Sequence, residues 1–224
     1  SIRRPLLITI DGPSGAGTNT ISRLLAARLD YDYIDTGALY RGVALAAMDA
    51  GVRGDDEAAL EPLGRDLTLE FRRRGETLRL LSNGVDVSDR LRTPELTMLA
   101  STISARAVVR AFLLKVQRAL GAAKNAVFEG RDMGTVVFPE ADVKFFLDAD
   151  LTVRAKRRFS ELQPSGDMEL SEVKAQMARR DRNDSTRSLA PLKPAPDAIR
   201  IDSTALDREG VVAQMLAKIS ELAG

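Results

Sequence analysis

The stretch from Pro5 to Thr20 constrains this chain more than any other. Pro5-Leu6-Leu7-Ile8-Thr9-Ile10 is an apolar, β-branched run of the kind buried on both faces of a parallel sheet. The turn Asp11-Gly12-Pro13-Ser14-Gly15-Ala16-Gly17 follows at once. Thr18-Asn19-Thr20 then opens a helical pattern in which Ile21, Leu24, Leu25 and Leu29 recur at turn spacing. Strand, glycine-rich turn and helix start form a P-loop arrangement. Its backbone N–H groups converge into a nest for an anion, and the helix N-terminus adds partial positive charge there. The pattern G-x-x-x-x-G-K-[ST] is met at Gly12 and Gly17, and Thr20 supplies a hydroxyl one position further on. Thr18 stands where the pattern has lysine.

Composition narrows the chemistry. There is no histidine and no cysteine among the 224 residues, which removes the commonest general base, thiolate metal sites and disulfides. Carboxylates, arginine, lysine and a hard cation such as Mg²⁺ remain. A net charge of +1 gives no global drive toward nucleic acid or membrane, so any need for positive charge must be met locally. Hydrophobic residues at 44% and charged residues at 29% describe an ordinary globular chain, long enough for one elaborated α/β domain. No apolar run reaches the ~18 residues of a membrane span, and Asp11 with the glycine turn interrupts any signal-type apolar region, so a cytoplasmic location is expected.

Further along, Tyr31–Ile34 reads as a second strand ending in Asp35-Thr36-Gly37, the polar edge where open α/β sheets place ligands. Ala38–Ala50 reads as a helix with Tyr40 and Arg41 in its first turn. Arg41 fits two readings, a surface residue or a cation at the ligand edge. A short helix is expected over 55–63. The period then changes: Leu67, Leu69 and Phe71, Leu78 and Leu80, and Val85 and Val87 alternate about turns at Arg74-Gly75 and Asn83-Gly84. That is an antiparallel meander of three strands inserted in a β-α frame, with Arg72-Arg73-Arg74 at a solvated hairpin end. Thr93-Pro94-Glu95 is a helix start, and a second helix over 107–120 carries Arg110 and Arg118. Ala126–Phe128 and Val143–Leu147 are core strands, the first followed by Glu129-Gly130-Arg131-Asp132-Met133-Gly134-Thr135. A helix over 151–162 places Arg154, Arg157 and Arg158 on one face, and a loop with Pro164 and Gly166 leads to another helix through about Asp181, with Arg180, Asp184 and Arg187 near its end. These helices read either as salt-bridged surface helices, given Glu161, Glu169 and Glu172, or as an arginine flap over phosphates; the phosphate loop favours the flap. A strand over 198–201 and an amphipathic helix from Val211 to Leu222 close the chain. A phosphate cradle, gathered arginines and no histidine point to phosphoryl transfer, which asks for positioning and positive charge more than for a base.

Four groups of residues resemble the bacterial cytidylate kinases: Ile8–Gly17, Asp35-Thr36-Gly37-Ala38-Leu39-Tyr40-Arg41, Gly84–Ser88 with Leu91–Glu95, and Gly130–Pro139 with Arg180-Asp181, Asp184, Arg187 and Ala190-Pro191-Leu192. The resemblance covers essentially the whole chain. It implies a single α/β domain over 1–224 with a P-loop NTPase-like parallel sheet flanked by helices. Its core would be 1–63, 93–150 and 190–224, with a nucleoside-monophosphate-binding insertion at about 64–92 and a helical lid at about 151–189. The implied activity is transfer of the γ-phosphoryl group of ATP to CMP or dCMP with Mg²⁺, in a monomer without nucleic-acid or membrane partners. By the same resemblance Gly12-Pro13-Ser14-Gly15-Ala16-Gly17-Thr18-Asn19-Thr20 would hold ATP, with Thr20 on Mg²⁺. Ser14, Thr36, Arg41 and Arg131 would hold the CMP phosphate region. Ser101, Arg110, Asp132 and Arg187 would read cytosine, Arg180 and Asp184 would reach the sugar, and Arg154 and Arg158 would act as lid arginines beside catalytic Arg41 and Arg131. The sequence departs from that family at Thr18-Asn19. Either the missing charge is supplied by lid arginines, or the chain is a weakened kinase or a CMP-binding protein.

Overall fold

The computed structural model describes residues 4–162 and 168–224. The chain folds as two compact units, residues 1–33 with 123–224, and residues 34–122.

The first unit is built on a five-stranded sheet. Strands β1 (Leu7–Asp11), β2 (Asp32–Asp35), β6 (Ala126–Gly130), β7 (Val143–Asp148) and β8 (Ile199–Asp202) lie in the order β2-β6-β1-β7-β8. β1 pairs in parallel with both β6 and β7, and β7 with β8. Every residue of β1 is buried, because a central strand has one face under helices on each side. Leu6, Ile8, Ile10, Phe145 and Leu147 meet Ile21 and Leu25 of α1 (Thr18–Leu29) and Val211, Val212, Met215 and Ile219 of α8 (Arg208–Ala223) in one apolar cluster. The register sets Asp11 opposite Gly130 of β6 and Phe146 of β7. The glycine turn and the segment after β6 therefore leave the sheet at the same edge, next to the point where the strand order reverses direction. A smaller cluster of Ala155, Val173 and Met177 joins α6 (Leu151–Leu162) to α7 (Leu170–Thr186). The expected connection through Pro164 and Gly166 lies outside the described residues.

The second unit holds α2 (Thr36–Asp49), α3 (Glu57–Asp66), the meander β3 (Leu69–Arg74), β4 (Thr77–Ser82) and β5 (Val85–Asp86), then α4 (Pro94–Ile103) and α5 (Ala107–Gly121). Leu39, Val43, Leu60, Leu69, Leu80, Leu96, Ile103 and Leu113 form its core. Phe71 pairs with Leu80 across the first hairpin, as the alternation requires. Asn83 and Gly84 both take positive φ, 48° and 82°, in the second turn. Thr93 caps α4, its side chain accepting the N–H of Leu96, with Pro94 in the first turn.

Several boundaries differ from the sequence reading, three of them for a visible local reason. α2 begins at Thr36 rather than Ala38, with Asp35 as its N-cap residue, which moves Arg41 into the second turn. β5 ends at Asp86, because Val87 leaves extended geometry (φ −112°, ψ 4°) to start a short 3₁₀ turn. α7 continues to Thr186, since Ser185 and Thr186 donate their hydroxyls to the carbonyls of Asp181 and Arg182 and so satisfy themselves inside the helix. The segment after β6, read only as charge and glycine past a strand, winds into a π-type turn over Met133–Val137, in which Val137 N–H donates to Asp132 O and Phe138 N–H to Met133 O.

Candidate active site

The phosphate loop is clamped from its carbonyl side. Ser14 O accepts from Arg154, Gly15 O from Arg157, and Ala16 O from the Ser203 hydroxyl. Turning these oxygens outward leaves the N–H side of the loop to converge on an anion. Gly15 and Gly17 take φ of 77° and 93°, which a side chain would strain. At Gly12 a Cβ would come within 2.1 Å of Leu147 O, so the strand edge admits no side chain there. Gly17 precedes α1 without a side-chain cap, and the first-turn N–H groups of a 12-residue helix face the loop's open end. This cradle fits the phosphates of a nucleotide. Thr20, half-buried in the first turn of α1, carries the hydroxyl that would hold Mg²⁺.

Thr18 does something the sequence does not announce. Its Oγ1 donates to Glu129 Oε1 at 2.9 Å, tying the helix start to β6. Asn19 is exposed and accepts from Arg23.

Beside the end of β6, residues expected for the phosphate, the sugar and the base come together. Asp184 receives Arg131 at 3.2 Å, Arg180 at 3.8 Å and Arg187 at 3.8 Å. Arg187 also donates to Ala190 O, which fixes the chain leaving α7. The Arg180 guanidinium is pulled below its ordinary value by desolvation and then by Arg131 and Arg158, against Asp184 and Asp181. Half its side chain is exposed, so the guanidinium keeps its proton, with the positive charge of Arg131 and Arg158 close by. Such crowding is relieved by an anion. Asp132 is 4% exposed, at the head of the π-type turn.

The arginines of α6 part company. Arg154 is buried and spends its donors on Ala149 O, Ser14 O and the Asp181 carboxylate at 2.7 Å. Arg157 donates to Gly15 O and to Ser203, tying the root of α6 to the phosphate loop. Arg158 points to solvent, paired with Glu161. Of the two expected lid arginines, Arg154 is therefore brought to the phosphate loop and Arg158 is not.

The remaining expected residues belong to the second unit. Thr36 is buried at the start of α2. Arg41 pairs with Asp35 at 3.1 Å, while its Nε is buried without a hydrogen-bond partner. Arg110 lies 5.5 Å from the Tyr40 ring centroid, donates to the Tyr40 hydroxyl and to Ser104 O, and is held there by both. Ser101 is exposed on α4, its carbonyl accepting the Ser104 hydroxyl.

Asp11, Asp35, Glu129 and Asp181 hold parts of this arrangement, although the sequence assigns no individual role to any of them. Asp11 is the clearest omission. It is buried at the C-terminal end of β1 and accepts the N–H groups of Met133 at 2.9 Å and Gly134 at 2.8 Å. Burial pushes its carboxyl up to about 7; the two N–H groups and Arg131 pull the other way, and Asp132 adds to the rise. A charged residue closing an otherwise apolar strand was the available signal.

A parallel sheet with a glycine cradle at its reversal point and arginines gathered beside it defines a P-loop kinase. The cytidylate kinase family model matches residues 8–221. The chain is 51% identical to the cytidylate kinase of Citrifermentans bemidjiense, over 96% of this chain and 93% of that protein. It is 50% identical to that of Geobacter sulfurreducens, over 98% and 94%, and 45% identical to that of Aeromonas hydrophila, over 97% and 95%. Among solved structures, an uncharacterized protein from Eubacterium ventriosum shares the fold with a TM-score of 0.51 at 10% identity, covering 96% of this chain and 98% of that one. The chain belongs to the cytidylate kinase family.

Proposed function

We propose that this protein transfers the γ-phosphoryl group of ATP to CMP or dCMP, giving ADP and CDP or dCDP. The observation that carries the reading is the gathering of Arg131, Arg180 and Arg187 on Asp184, four residues that the family resemblance assigns to CMP. The loop Gly12–Thr20 holds the donor phosphates on backbone N–H groups. The Thr20 hydroxyl would hold Mg²⁺, which would supply charge neutralisation on the donor phosphates. Arg41 and Arg131 grip the CMP phosphate, with Ser14 and Thr36 as hydroxyl partners; the unpartnered Arg41 Nε supports this role. Asp132 accepts from the exocyclic amine of cytosine, while Arg110, Arg187 and Ser101 donate to its ring nitrogen and carbonyl. Arg180 and Asp184 hold the sugar. Uracil presents an oxygen to Asp132 and is rejected, because a buried carboxylate facing an acceptor costs far more than a missing contact. The protein acts as a monomer, with no nucleic-acid or membrane partner.

The test is ADP release in a coupled assay with CMP, dCMP, UMP and AMP at saturating Mg·ATP. CMP and dCMP should turn over far faster than UMP and AMP; equal rates for CMP and UMP would sink the cytosine assignment.

A second reading, an impaired kinase that still binds CMP, is favoured by the Thr18–Glu129 hydrogen bond, which puts a neutral group where the loop pattern has a cation. Restoring the cation with Thr18→Lys separates the two. A compromised chain should gain roughly 100- to 1,000-fold in kcat, the ~3–4 kcal/mol of one transition-state contact, with little change in CMP affinity. An unchanged kcat would mean that the arginines already supply the charge.

A further inference from the structure

Asp11 is a buried ionisable group that the proposed chemistry does not use. It sits at the C-terminal end of β1, 4% exposed, and both its oxygens are committed. Oδ1 accepts the Met133 N–H and Oδ2 the Gly134 N–H. Those N–H groups belong to the first turn of the π-type segment, which also bonds back to its own start. Val136 and Val137 N–H donate to Asp132 O, and Phe138 N–H to Met133 O. The carboxylate thus ties this turn to the central strand through two hydrogen bonds. The turn begins at Asp132 and follows Arg131, which is itself paired with Asp184.

We propose that Asp11 is a positioning residue for the acceptor nucleotide: by gripping the Met133 and Gly134 N–H groups it sets the direction of Arg131 and Asp132, and only its ionised form grips them fully. The inference rests on the reading that Arg131 and Asp132 contact CMP. An ionised carboxylate offers lone pairs on both oxygens and makes charge-assisted bonds, whereas a protonated one accepts more weakly and brings a proton of its own. The charged groups around it are few. Asp132 opposes its ionisation and Arg131 favours it. Lys144 runs its stem past Gly134 but turns its ammonium to Pro139 O and Asp197. Thr9 Oγ1, buried on the same side without a hydrogen-bond partner, adds no charge.

The experiment compares kcat/KM for CMP from pH 5.5 to 9 in the wild type and in Asp11→Asn, together with KM for ATP and the thermal midpoint. The wild type should rise through a midpoint near 7, where burial places the Asp11 carboxyl, and level off above it. Asp11→Asn should lose that limb and raise KM for CMP roughly 10- to 100-fold, the loss of a hydrogen bond to a charged acceptor, while KM for ATP stays put. The nucleotide phosphate also ionises near pH 6, but it does so identically in both proteins. A variant that loses activity through KM for ATP and kcat alike, with its pH limb intact, would overturn the proposal. Arg131→Gln and Asp132→Asn are run alongside. If they leave KM for CMP unchanged, the acceptor-site reading itself fails. If they raise it while Asp11→Asn does not, only the Asp11 inference fails. Should Asp11→Asn not fold, the wild-type amide resonances of Met133 and Gly134 serve instead. They should titrate together near 7, and CMP should shift that midpoint downward, because linkage is reciprocal. Binding of CMP with no shift would overturn the proposal.

Discussion

Thr18 and Arg154 show how the same site treats a small and a large polar residue. Thr18 exchanges a lysine's reach for a short hydrogen bond to Glu129, so it fixes the start of α1 without carrying charge to the cradle. Thr18→Val tests this structural part alone. It should cost about 1 kcal/mol of stability, the value of one half-buried hydrogen bond, read as a fall in the urea midpoint. Arg154 and Arg158 are alike in the sequence and unlike in place. Arg154 is 7% exposed and paired with Asp181, whereas Arg158 is 47% exposed and paired with Glu161. Arg154→Ala removes the buried guanidinium that holds Ala149 O, Ser14 O and the partly exposed Asp181, which keeps Arg180 nearby, and should destabilise the fold by roughly 1.5–3 kcal/mol. Arg158→Ala should change stability by less than about 0.5 kcal/mol, so any loss of its activity would be a loss of function at the phosphates. Chemical denaturation of both variants checks the contrast.

Elements here are positioned by their ends. The phosphate loop owes its shape to two elements distant in sequence, α6 through Arg154 and Arg157 and the chain after β8 through Ser203. Replacing Gly12 by alanine sets a methyl 2.1 Å from Leu147 O, and backbone must move to admit it. We expect Gly12→Ala to lower ATP affinity at least tenfold and to cost roughly 1–3 kcal/mol, the usual penalty of overpacking, measured by nucleotide titration and thermal melting. In the second unit the cap on α4 is an independent element. Thr93→Ala should remove about 1 kcal/mol of stability, with no effect on KM for either nucleotide.

At the scale of the whole molecule, the absence of histidine and cysteine makes neutral pH a quiet region, with Asp11 as the buried exception. The sign of its effect on stability follows from the raised value. Between the ordinary carboxyl range near 3.8 and about 7, the folded state holds a proton that the unfolded state has released. Its stabilising contribution is therefore full below pH 3.8 and is lost as pH rises through 7. Asp142 works in the opposite sense. Although burial opposes it, the Leu7 N–H with Lys124 and Arg4 holds its carboxyl below the ordinary value, so its contribution is present at neutral pH and lost in acid. Denaturation between pH 5 and 8 should show stability falling with pH in the wild type and a flatter profile in Asp11→Asn.

The sequence by itself determined the order of elements, the parallel sheet, the antiparallel meander and the glycine turn, because each is written in local periodicity or in glycine spacing; the roles expected of the residues around that turn come from the family resemblance. Ile8 and Ile10, Phe71 and Leu80, and the Thr93-Pro94 start are legible without a partner in view. Tertiary structure decided which way equivalent residues turn. Only packing buried Arg154 and left Arg158 in solvent, joined Thr18 to Glu129 across 111 residues, and put Asp11 under a turn 122 residues away. Desolvation and hydrogen-bond partners are properties of neighbours in space, and no period in the chain encodes them.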